Sequence, residues 1–196
     1  MSGDLLERWL EGVLATPGLT AITDPAGARR ALLEDALRAT SIVRAAGGPV
    51  VDVGSGGGSP GIPLAATLPE LPFTLLEAER RKCEFLREAS AGLDNVEVVW
   101  GRAEEQPTDA FAVALAKALA KPPVAAELCL PLVRAGGVAV LWVGETADPG
   151  RVSRVADRLA ASLEDDRDGL LVLRKLGVTP PGFPRRSGMA KKRPLA

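Results

Sequence analysis

The stretch Val50-Val-Asp-Val-Gly54-Ser-Gly-Gly-Gly58-Ser-Pro60-Gly-Ile-Pro63-Leu64 runs from a short apolar segment holding Asp52 into a turn of glycine and proline, then back into apolar residues. A strand that enters a helix through such a turn forms the ligand-binding corner of an open parallel sheet. The pattern around it predicts strands over 50–53, 73–77, 96–100, 111–116, 138–142 and 170–175. Helices are predicted from about 61, over 80–91, around 124–134 and over 150–162. Strands alternating with helices, and unbroken apolar runs such as Val138-Ala-Val-Leu-Trp142, indicate strands covered on both faces. The expected fold is a doubly wound α/β domain with a mostly parallel sheet.

Upstream, Leu5, Leu6, Trp9, Leu10, Val13 and Leu14 fall on one stripe of a helix over 4–15 that Pro17-Gly18 ends. Asp24-Pro25 supplies an N-cap and a proline at the first helical position, starting a second helix that runs to Gly47-Gly48-Pro49. Residues 1–48 therefore read as a small N-terminal helical cap, 49–178 as the main domain and 179–196 as a basic tail. Pro180-Pro-Gly-Phe-Pro-Arg-Arg-Ser-Gly188 is too rich in proline and glycine for regular structure.

The chain has 196 residues, 46% of them hydrophobic, enough to build a core. No uninterrupted apolar run of about 18 residues occurs, and the first ten residues carry acids where a signal peptide would be basic. The expectation is a soluble cytoplasmic protein. Cys83 and Cys129 stand without any histidine, so no zinc or other metal site and no disulfide framework is expected, and both thiols read as buried. The absence of histidine also excludes Ser-His-Asp and Cys-His catalysis. Net charge is −1, yet Arg185, Arg186, Lys191, Lys192 and Arg193 crowd the last dozen residues, leaving the acidic excess on the body. Basic tails of this kind commonly meet phosphate backbones.

The dinucleotide fingerprint Gly-x-Gly-x-x-Gly fails here, since its third glycine is Ser59 and Pro60 and Pro63 interrupt the helix start. Asp52-x-Gly54-x-Gly56-x-Gly58 instead resembles the first motif of class I S-adenosylmethionine-dependent methyltransferases, which have a Rossmann-like fold. Glu77 ends the second strand, 23 residues after Gly54, where a carboxylate accepts hydrogen bonds from ribose hydroxyls. That carboxylate suits a nicotinamide cofactor and S-adenosylmethionine equally.

Read with its surroundings, the chain resembles the RsmG/GidB family of bacterial 16S ribosomal RNA guanine-N7 methyltransferases. The resemblance rests on VVDVGSGGGSPGIPLA, FTLLEAERRKCEFLREA, VEVVWGRAEE and the ending TPPGFPRRSGMAKKRPL, with weaker matches at Gly18 to Pro25 and Asp35-Ala-Leu37. It implies S-adenosylmethionine as cofactor and 16S ribosomal RNA or the small ribosomal subunit as partner. Carried over by position, it implies that Gly54 and Ser59 line the methionine end of the cofactor, with Asp52, Gly56 and Gly58 of the same turn in the cofactor site. Glu77, Ala78 and Glu79 would lie along the ribose, Ala103 and Glu104 beside the adenine, and Lys117 where the family has an arginine. Arg102 and the five basic tail residues would contact RNA, so that removing residues 185–196 weakens RNA binding and spares the cofactor site. Guanine N7 carries an in-plane lone pair and no proton, so its methylation requires no general base.

The chain departs from the family at several polar positions. The family's asparagine is Gly18, its histidine Leu32, its serine Ala36 and its arginine Lys117; a late lysine is Val143, and an arginine-histidine pair is Asp168-Gly169. Two readings stand at this point: an active ribosomal RNA methyltransferase, or a paralogue with the cofactor fold and another substrate, or with only a nucleotide- or RNA-binding role. No catalytic residue is assigned.

Overall fold

The computed structural model describes residues 2–196. It opens with α1 (Ser2–Ala15), whose Leu5, Trp9, Leu10 and Val13 are buried, as the helical stripe requires. Asp24 caps α2 (Pro25–Ala28) by accepting a hydrogen bond from Gly27 N, and the helix continues as a π-helical stretch, Arg29–Glu34. Two short segments, α3 (Asp35–Leu37) and α4 (Thr40–Ala46), complete the expected second helix and end at Gly47, φ +76°.

The sheet then builds from β1 (Val50–Val53), β2 (Phe73–Glu77), β3 (Val96–Trp100) and β4 (Phe111–Lys117), with α5 (Gly61–Thr67) after β1 and α6 (Arg80–Ala89) after β2. α7 (Pro122–Cys129) gives way to a 3-10 turn at Leu130–Leu132, shorter than the helix expected to 134, because Pro131 has no N–H to continue it. β5 (Val133–Trp142) slips register against β4 between Phe111 and Val113 and pairs regularly only from Val138. α8 (Pro149–Arg158) follows.

The C-terminal half corrects one expectation. The helix expected to 162 stops at Arg158, Ala160 takes φ +52°, and Ala161–Arg167 forms a strand, β6, where the pattern predicts none. β6 is a charged edge strand paired antiparallel with β7 (Leu170–Lys175), so no apolar alternation announced it. The available signal was Asp168-Gly169, a two-residue hairpin dipeptide with both residues at positive φ. A short helix, α9 (Met189–Lys192), lies in the tail.

The strand order is β3-β2-β1-β4-β5-β7-β6, with β7 alone running against the other strands, antiparallel to both β5 and β6. The order reverses between β1 and β4, which places a crevice at their carboxyl ends. One apolar cluster packs α7 and α8 against one side of the sheet, and others pack α4, α5, α1 and α6. α1 shares its cluster with Ile62, Leu75 and Leu86 and packs against the helices α5 and α6. Both cysteines are buried, and burial raises both thiol pKa values.

Candidate functional site

The glycine turn is built by three backbone constraints. Gly54, Gly56 and Gly58 all take positive φ (+71°, +56° and +97°), conformations that β-carbon residues resist. Gly54 N and Ser55 N both donate to Leu76 O, tying the turn to β2 at 2.8 and 3.1 Å. A Cβ on Gly61 would stand 2.3 Å from Leu75 Cδ2 and 2.7 Å from Asp52 Oδ2, so α5 starts in close contact with the strands.

Glu77 closes the turn from the other side. Only 6% exposed, it accepts Gly56 N at 2.9 Å on Oε2 and Glu79 N at 2.8 Å on Oε1. Two carboxylate oxygens offer about four lone-pair sites, so two remain for hydroxyl donors.

Together these elements wall a cavity of about 560 Å³ at the switch point, within the usual range for a small-molecule site. Of the residues named from sequence, Gly54, Gly56, Ser59, Glu77, Ala78, Glu79, Ala103, Glu104 and Lys117 line it. Arg102 and Lys191, named as RNA contacts, line it too.

Two of the residues named for the cofactor stand back from the cavity. Asp52 is 1% exposed beneath the turn, where Oδ2 accepts Gly61 N at 3.1 Å. Burial, the largest cause, pushes its carboxyl up to about 7, with the nearby Glu77 charge adding to the rise. Gly58 is buried, and a Cβ there would meet Ile62 Cδ1 at 2.5 Å and Trp9 Nε1 at 3.0 Å. Both shape the turn from behind.

The N-terminal helices furnish part of the wall that the sequence did not announce. Trp9, Val13, Leu19 and Leu32 line the cavity, and Trp9 Nε1 donates to Gly57 O at 2.7 Å. Trp9 and Val13 lie on the stripe of α1, where such residues read only as core. The π-helical stretch presents two carbonyls to the site: Leu32 O accepts Ser59 Oγ, and Ala31 O accepts Lys117 Nζ at 2.8 Å. Lys117 also pairs with Asp35 at 3.1 Å, and Ala118 beside it takes φ +55°. Strained backbone and π-helical turns gather at functional sites.

The tail behaves differently from a solvated terminus. Residues 180–188 form no helix or strand, as expected, yet Phe183, Leu195 and Ala196 pack on the large apolar cluster. Arg185, named as an RNA contact, instead makes a two-pronged ion pair with buried Glu127, while Arg186, Lys192 and Arg193 are exposed. Gly188, Ala190 and Lys191 reach the cavity.

A nucleoside joined to an amino acid fits this cavity. Its walls offer a buried carboxylate with spare acceptors, apolar Leu76, Ala103, Leu119 and Leu128, and the Lys117 ammonium at the far strand end. The family model for GidB, rRNA small subunit methyltransferase G, matches residues 6–156. The chain belongs to this family. The ribosomal RNA small subunit methyltransferase G of Rubrobacter xylanophilus is 43% identical over 172 residues, covering 76% of this chain and 66% of that protein. This chain thus spans just under two thirds of that relative. The Pelotomaculum thermopropionicum protein of the same name is 35% identical over 201 residues, covering 90% of this chain and 82% of its own. Among solved structures, the T. thermophilus 16S rRNA N2 G1207 methyltransferase in complex with AdoMet and guanosine superposes with a TM-score of 0.51. Its identity is 16%, over 67% of this chain and 36% of that one, a likeness of fold. No helix among the described residues is long and apolar enough to cross a membrane.

Proposed function

We propose that this chain transfers the methyl group of S-adenosylmethionine to N7 of a guanine in 16S ribosomal RNA, acting in the cytoplasm on the RNA or the small subunit. The observation that carries this reading is that the span matched by the family, residues 6–156, supplies the ends of β1, β2 and β4 that wall the cavity.

When bound, S-adenosylmethionine supplies a methyl group activated on a sulfonium. The residues of this chain hold and orient it. Glu77 accepts the ribose hydroxyls, Ala103 and Glu104 flank the adenine, and Gly54, Ser59 and Lys117 border the methionine end. Because N7 brings its own lone pair, the protein has no proton to remove, which agrees with a site that holds no histidine. Catalysis rests on alignment and on fixed charge. Arg102, Lys191 and the exposed tail cations face RNA phosphates at the mouth.

Two departures from the family have local structural uses. Asp168-Gly169 makes the β6–β7 hairpin, and Lys117 has its partners in Asp35 and Ala31 O.

The test is methylation of undermethylated 30S subunits and of free 16S RNA, with N7-methylguanine measured in the product. Its appearance with either substrate supports the reading. Its absence, beside an active control enzyme, would leave the altered-substrate paralogue.

A further inference from the structure

The tail carries a latch whose position points inward to the cofactor cavity. Glu127 on α7 is 4% exposed, and Arg185 meets it with Nε to Oε1 at 2.6 Å and Nη2 to Oε2 at 2.7 Å. The same Nη2 donates to Arg193 O at 2.8 Å, so one guanidinium pins both ends of the loop 185–193 to α7. The middle of that loop is held on the opposite side. Gly188 N donates to Glu104 Oε1 at 2.9 Å, and Ser187 Oγ to Glu105 Oε1 at 3.3 Å. Between these anchors Ala190 is buried, and Gly188, Ala190 and Lys191 line the cavity beside Ala103 and Glu104.

A buried ion pair contributes little stability relative to apolar residues of the same shape, but losing one partner leaves the other's charge buried and uncompensated. The forked contact requires arginine, since a lysine would supply a point charge without the paired donors. We infer that Arg185 and Glu127 are positioning residues for the cofactor: they hold the loop 185–193 as one wall of the cavity, and cofactor affinity depends on that wall. The inference rests on the reading of the cavity as an S-adenosylmethionine site.

The experiment titrates S-adenosylhomocysteine calorimetrically into the full chain and its variants, with thermal melting as a check on folding. Arg185→Ala is expected to weaken binding about tenfold or more, and Arg185→Lys less. In turnover the variants should raise KM for S-adenosylmethionine with kcat little changed, a pattern that marks weakened binding of the cofactor and not damaged chemistry. Trypsin should cut Arg185→Ala sooner within residues 186–193 than it cuts the wild type, and S-adenosylhomocysteine should protect the wild type. Should Arg185→Ala fail to fold, Gly188→Ala tests the wall alone. Gly188 has φ +82° and open space around its Cα, so alanine strains the backbone without a clash. It is expected to weaken binding several-fold. A folded Arg185→Ala, its tail released to trypsin, that binds within twofold of wild type would overturn the inference, as would wild-type affinity in Gly188→Ala. A wild-type chain that binds no S-adenosylhomocysteine at millimolar ligand would overturn the cofactor reading itself, and this one with it.

Discussion

Asp52 illustrates how one residue type changes its meaning with depth. In sequence it belongs to the motif of the glycine turn; in the fold it lies under the turn, accepting Gly61 N, with its carboxyl pushed up to about 7 by burial. An aspartate whose folded pKa lies above its unfolded value of about 4 binds more protons folded than unfolded between those values. Its contribution is therefore complete below pH 4 and is lost as pH rises to 7, a difference on the order of 4 kcal/mol from the shift of about three units. Asp52→Asn keeps an oxygen for Gly61 N and removes the titration. Urea unfolding should show the variant gaining on the wild type between pH 5 and pH 8; parallel curves across that range would contradict the assignment. Glu77 is the opposite case, since its place at the end of an apolar strand and its distance from Gly54 were readable directly. Its two backbone donors, Gly56 N and Glu79 N, were not, because only the folded turn brings them to it.

Among elements, those with local rules were legible. β1, β2, β3 and β7 have the bounds their apolar runs predict, and α2 starts on its Asp24-Pro25 cap. Elements whose stability comes from a neighbour were not. β6 is polar and gains its hydrogen bonds from β7, and the tail gains its place from Glu127, Glu104 and Glu105. The tail also has an outer side. Arg186, Lys191, Lys192 and Arg193 are exposed, and replacing all four with glutamine should weaken RNA binding. The slope of log affinity against log salt should become shallower by about one for each phosphate that the variant no longer neutralises. Filter binding of 16S RNA fragments across salt concentrations measures this; an unchanged slope would remove the tail from the RNA interface. The expectation that the whole tail can be deleted without touching the cofactor site meets a division within it: Arg185 pairs with Glu127, Gly188 and Lys191 line the cavity, and Arg186, Lys192 and Arg193 face outward.

Across the whole protein, the cavity is shared among parts distant in sequence: α1 and the π-helical stretch, the ends of β1, β2 and β4, and the tail. A ligand there bridges them and stabilises the fold by mass action, by about 2.7 kcal/mol at a hundred times its Kd. For a chain of this size that corresponds to a rise in Tm of about 5–10 °C. Scanning calorimetry with and without S-adenosylhomocysteine reads it, and no shift at saturating ligand would exclude a bridging site. The doubly wound sheet, the glycine corner and the acidic strand end were already written in the order of residues, because each follows from short-range rules of periodicity, φ and spacing. That Asp52 and Gly58 stand behind the turn, that α1 lines the cavity and that Arg185 serves the protein's own wall emerged only in the folded chain. Those roles depend on which surfaces meet when the chain closes, and a side chain's burial and partners are properties of that closure.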